Sequence, residues 1–125
     1  MITEDYISFE IAKLLKEKGF DEPCRTYYQD EKFVDDVCTQ YYQWNNKSPF
    51  GHISAPTHQM VNKWIRKTYN IYIDVILLDK EDGDYGYVIQ DIITRKYINT
   101  SNNNSYEFPE KAFEEALKFL FKNVI

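Results

Sequence analysis

Histidine and cysteine are scarce in this 125-residue sequence, with two of each, and the scarcity removes much catalytic chemistry at once. Nucleophilic catalysis needs a Ser or Cys beside an oriented His and a carboxylate. Neither His52 nor His58 has that company at short spacing. The four glycines are scattered, so no glycine-rich loop exists to cradle a phosphate. Asp35 and Asp36 are adjacent, and neighbouring side chains on a helix or strand point apart, so they form no dyad by spacing. An enzyme is not expected, and no cofactor is implied.

Metal sites fare similarly. Cys24, Cys38, His52 and His58 occur in an order that zinc could use, but thirteen residues separate the cysteines. Structural zinc sites use two thiolates aimed from one tight turn, which this spacing does not supply. The acidic run "DKEDGDYG" resembles a calcium loop only superficially. Setting Gly83 at the sixth position puts Leu78 at the first, where an oxygen ligand is required. No metal is expected, and the two cysteines read as reduced thiols.

Long apolar runs are also missing. The longest uncharged one, Val75 to Leu78, has four residues, against roughly twenty needed to cross a bilayer. The start, "MITEDYISFE", has no apolar segment of a secretory signal, so a cytoplasmic protein with no membrane is expected. Positive charge is in deficit, with 15 Lys and Arg against 20 Asp and Glu, a net charge of −5. That argues against binding nucleic acid over the whole surface, because phosphate neutralisation supplies most of such affinity. A local basic face remains compatible with it.

Aromatic residues are abundant: eleven Tyr, eight Phe and two Trp make 17% of the chain. Tyrosine buries a ring while its hydroxyl stays hydrogen-bonded, which suits half-buried sheets and contact surfaces. AT-rich coding, which favours Tyr, Asn, Lys and Ile codons, accounts for the excess as simply.

The patterning predicts one α+β domain over residues 1–125. "FEIAKLLKEKGF" is a helix with Ser8 as N-cap and Gly19 as the left-handed residue beyond it, Phe20 folding back on Leu15. "CRTYYQ" reads as a strand that "DE" could turn. "KFVDDVCTQYYQW" fits helix by spacing (Phe33, Val34, Val37, Cys38, Tyr41, Trp44) and strand by residue type, and helix is favoured here. "NNKSPFGHIS" reads as loop.

A second helix is predicted over Pro56–Tyr69, then strands Ile71–Leu78, Tyr85–Ile92 and Tyr97–Thr100, and a last helix over Pro109–Val124. The expected architecture is two-layer: a small three-stranded antiparallel sheet packed against about three helices. Trp64 and Phe113 fall on apolar helix faces and are predicted to be core.

Two binding readings follow. The favoured one is a non-enzymatic protein-interaction module, partnered by another protein or by a second copy, with Tyr27, Tyr28, Tyr41 and Tyr42 as contact anchors. The alternative is a winged-helix-like nucleic-acid binder. Lys63, Arg66 and Lys67 on the Pro56–Tyr69 helix would meet phosphates, with Gln59 or Asn62 reading bases. Arg95 and Lys96, in the turn "ITRK", would extend that surface. Charges opposite a buried stripe are also what any core helix presents.

"SFEIAKLLKEKGFDEPC", "SAPTHQMVNKWIRKTYNIYI" and "FEEALKFLF" resemble an uncharacterised family of small proteins from gut Bacteroidales, their phages and integrated mobile elements. The likeness runs from Tyr6 to about Leu120 and departs most over Gln29 to Gly51. It rests on Ser54, Ala55, Pro56, Thr57, Gln59, Met60, Lys63, Trp64 and Arg66. The resemblance implies a cytosolic, phage- or mobile-element-encoded accessory protein, and carries no activity with it.

Overall fold

The structure, a computed structural model, describes residues 1–35, 40–78, 81 and 84–125. The fold is α+β. Its contacts group into two compact units, residues 1–57 with Ile125, and residues 58–124.

In the first unit, α1 (Phe9–Glu17) forms as its ends dictate. The Ser8 hydroxyl accepts from the Ile11 N–H at 3.3 Å, satisfying a donor the first turn leaves open. Beyond Lys18, Gly19 takes φ +87°. The Gly19 N–H then reaches Lys16 C=O at 3.1 Å, and the Phe20 N–H reaches Leu15 C=O at 3.0 Å. That pair of bonds is a Schellman closure, and Phe20 and Leu15 are both buried beside it.

β1 (Tyr27–Gln29) and β2 (Lys32–Val34) make an antiparallel hairpin, and β3 (Ile53–Ser54) pairs with the other side of β1. Asp30 and Glu31 both have positive φ, 50° and 67°. Two left-handed residues form the hairpin turn whose twist matches the flanking strands.

The helix expected from Phe33 to Trp44 does not form in the described part of that segment. Phe33 and Val34 lie in β2, Tyr42 makes a bridge with Cys24, and among the described residues the helix nearby is α2 (Trp44–Lys47). The aromatic and β-branched residue types win over the helical spacing because the turn at Asp30–Glu31 offers the segment a strand to pair with. Val37 and Cys38 lie outside the described residues.

Side chains then fix the stretch read as loop. Trp44 Nε1 donates to Cys24 C=O at 2.7 Å, Asn45 Nδ2 to Phe20 C=O at 3.0 Å, and Asn45 Oδ1 accepts from the Ser54 N–H at 2.8 Å.

The second unit holds the sheet expected from the sequence. β4 (Ile71–Leu77), β5 (Tyr85–Asp91) and β6 (Tyr97–Thr100) run in that order, all antiparallel. α4 (Pro109–Asn123) packs on β4 and β5, and α3 (His58–Tyr69) packs on β4. Ile71, Ile73, Tyr87 and Ile89 are buried on one sheet face, with Val61 and Ile65 of α3 and Ala112, Phe113, Ala116, Leu117 and Leu120 of α4 also buried.

α3 starts two residues later than expected, because the Pro56 C=O accepts from the Ile7 N–H and Thr57 bridges Tyr6. It stops at Asn70, which takes φ 56°. Phe113 is core as expected. Trp64 is only half-buried and packs edge-on against Tyr69, ring centroids 5.5 Å apart. Among the described residues, no helix is long and apolar enough to cross a membrane.

Candidate nucleic-acid interface

α3 positions the first group of cations. Lys63, Arg66 and Lys67 stand three and four residues apart, hence on one helix face, and all are exposed. The turn from Asp91 to Lys96 positions the second. Asp91 accepts from the backbone N–H groups of Ile93 and Thr94, both at 2.9 Å. The Arg95 N–H closes the turn on Asp91 C=O at 2.9 Å, with Arg95 at φ 63°.

Arg66 and Arg95, 29 positions apart in the chain, come to line one cleft of about 320 Å³ together with Tyr72, Gln90, Asp91 and Ile92. Neither guanidinium, nor Lys63, Lys67 or Lys96, makes an ion pair with any described residue. Asp91 is the cleft's one carboxylate, and its Oδ1 is occupied by the turn. Hydrogen bonds from the backbone of Thr94, then of Ile93, hold its carboxyl below the usual aspartate range.

The remaining candidates on α3 divide. Gln59 is exposed. Asn62 is engaged at the edge of the sheet, its Nδ2 donating to Ile73 C=O at 3.2 Å and its Oδ1 accepting from the Ile73 N–H at 3.5 Å. With both ends of its amide occupied, Asn62 acts as a strand partner.

The tyrosines divide as well. Tyr28 donates its hydroxyl to Ile7 C=O at 2.7 Å and packs edge-on against Phe9 and Phe33. Tyr27 is half-buried against the rings of Trp44 and His52, at 4.2 and 4.6 Å. Both are framework residues of the first unit. Tyr41 is 69% exposed and Tyr42 is 40% exposed, the latter donating to Lys47 C=O.

Among the described residues no cluster of three or more metal-ligating side chains forms. Cys24 is buried, and burial pushes its thiol up to about 12. His52 Nδ1 meets the Ser48 hydroxyl at 2.8 Å, and His58 Nε2 meets Glu114 Oε2 at 3.0 Å.

Tyr72, Gln90 and Tyr97 were not singled out from the sequence. The available signal was Tyr72 itself, an aromatic ring on the wet phase of a strand whose other phase, Ile71 and Ile73, is buried. In comparisons with family models, curated proteins and solved structures, nothing matches the chain.

Proposed function

We propose that this is a non-enzymatic nucleic-acid-binding protein whose contact surface is the cationic face of α3 with the Asp91–Lys96 turn. The observation that carries the reading is the meeting of Arg66 and Arg95 in one cleft, with neither guanidinium paired among the described residues. Guanidinium groups not held in an ion pair are the groups best able to take a phosphate oxygen pair.

The overall acidity does not oppose it locally. Residues 58–124 carry nine Lys and Arg against ten Asp and Glu, whereas the rest of the chain carries six against ten. The deficit of −5 therefore divides as −1 and −4. This role suits the phage- or mobile-element accessory protein that the resemblance implies.

Among the described residues of this unit the helices are α3 and α4, and α3 adjoins the edge strand. Phosphate contacts by Lys63, Arg66, Lys67 and Arg95 give a log–log salt slope of about −2.8 on single strands and −3.6 on duplex. Raising salt from about 50 to 200 mM should then weaken binding roughly fifty- to 150-fold. Fluorescence anisotropy on labelled oligonucleotides measures it. The Lys63→Ala/Arg66→Ala/Lys67→Ala variant should lose most of the affinity and most of the slope while melting as the wild type does. Absence of binding at low salt would remove the reading.

A second reading, protein contact through the first unit, is favoured by Tyr41 and by Phe50, which is 78% exposed. The same titration separates the two, because a protein-contact module leaves oligonucleotides unbound.

A further inference from the structure

The exposed face of the second sheet carries a feature that phosphate contact alone does not use. By register Tyr72 stands opposite Gln90, and a register shift between Ile89 and Gln90 sets Tyr97, rather than Ile98, opposite Gln90, so the three follow one another across β4, β5 and β6. Directly opposed residues share a face, which puts Tyr72 and Gln90 on the face away from buried Ile71, Ile73 and Ile89, and the shift brings Tyr97 beside Gln90. Tyr72 is 39% exposed and Tyr97 is 70% exposed. They lie two strand spacings apart, about 10 Å. Arg66 and Arg95 line the cleft to which Tyr72 and Gln90 also belong.

Resting on the reading above, we infer that the nucleic acid bound is single-stranded, its bases stacked on Tyr72 and Tyr97 and its phosphates held by Arg66 and Arg95. Three observations favour this over a duplex. Tyrosine rings presented on an open sheet can take the π-face of any base, but only when that base is unpaired and splayed out. The cations flank that face, matching the negative backbone to the rim and the bases to the centre. Finally, α3 is poorly placed to read a groove, because it packs along the sheet and Asn62 is committed to Ile73.

A cleft of about 320 Å³ lies at the small end of the ligand-site range, roughly 300–1,000 Å³, which suits one nucleotide at a time. Asp74 occupies the same sheet face two residues along β4 from Tyr72 and is exposed. Its charge bounds the platform on that side, so the strand's backbone is expected to track the Arg66–Arg95 end.

The test uses the full chain and labelled homopolymers of about fifteen nucleotides, oligothymidylate and oligouridylate, against a duplex of equal length at about 50 mM salt. Single strands should bind at least tenfold tighter than duplex. Tyr72→Ala and Tyr97→Ala should each weaken single-strand binding about five- to a hundredfold and leave duplex binding unmoved. Tyr72→Phe, which keeps the ring, should retain most of the affinity.

Comparison of the DNA and RNA arms identifies the sugar preferred. Duplex bound as tightly as single strand, or folded tyrosine variants that bind normally, would overturn the stacking inference while leaving phosphate contact in place. If neither single strand nor duplex binds, the underlying reading falls as well. The wild-type preference decides the matter even if an alanine variant fails to fold.

Discussion

The two aromatic residues singled out as core differ in what their removal should cost. Phe113 is 6% exposed, and its ring lies 4.9 Å from that of His58. Truncating a ring in such a place leaves a cavity that neighbours refill only in part, typically at about 3–5 kcal/mol. Trp64, half-buried, has less apolar area withdrawn from water to lose, so Trp64→Ala should cost about half as much or less. Urea unfolding of the two variants compares them directly, and equal losses would mean that Trp64 is more deeply committed than its exposure indicates. Cys24 shows the same logic applied to reactivity. A thiol held at about 12 is almost wholly protonated at neutral pH, and protonated sulfur is a poor nucleophile.

Among the elements, the Asp91–Lys96 turn has a stability that should follow pH. The Asp91 carboxyl is held below its ordinary value by the turn's own N–H groups, so the folded state prefers the charged form. A depressed folded pKa adds stability that is fully present above the unfolded value, near 3.9, and is lost as pH falls through the folded one. The melting-temperature gap between wild type and Asp91→Ala should therefore be widest near neutrality and narrow below about pH 4. Differential scanning fluorimetry across that range checks it, and a gap that widens on acidification would contradict the sign.

The elements also show where sequence reasoning succeeds. α1 with its Gly19–Phe20 closure, all three strands of the second sheet and α4 were legible, because each is specified by its own residues through caps, periodicity or turn chemistry. Of the first sheet, β1 and its Asp30–Glu31 turn were legible in "CRTYYQ" and "DE", but β2 and β3 were not. β3 is two residues long, and its pairing with β1 depends on contacts between residues more than twenty positions apart. The stretch around Trp44 is ordered by side-chain amides reaching distant carbonyls, a pattern without local signature. At the candidate site the cations were legible as a helical face with the Arg95–Lys96 turn extending it, but the place of Tyr72 and Gln90 in the same cleft was not, since it follows from the pairing of β4 with β5.

For the molecule as a whole, the amide of Asn62 has a consequence for solubility. β4 ends its sheet, and an end strand offers a row of unpaired N–H and C=O groups to any passing chain. Asn62 occupies both such groups of Ile73, the residue at the third position of the strand. The helix that displays Lys63, Arg66 and Lys67 is thus also a guard against strand addition, and its cations repel a second copy approaching from that side. In Asn62→Ala the Ile73 groups lose their partner while the cations remain. Concentration-dependent self-association, followed by light scattering, should increase in that variant and increase further in high salt, where the repulsion is screened. A variant that stays monomeric in high salt would assign the guarding to the helix backbone instead. If the association appears, loss of charge and loss of the amide are separable routes to the same aggregate, and a variant stripped of both would be the least soluble form of this protein.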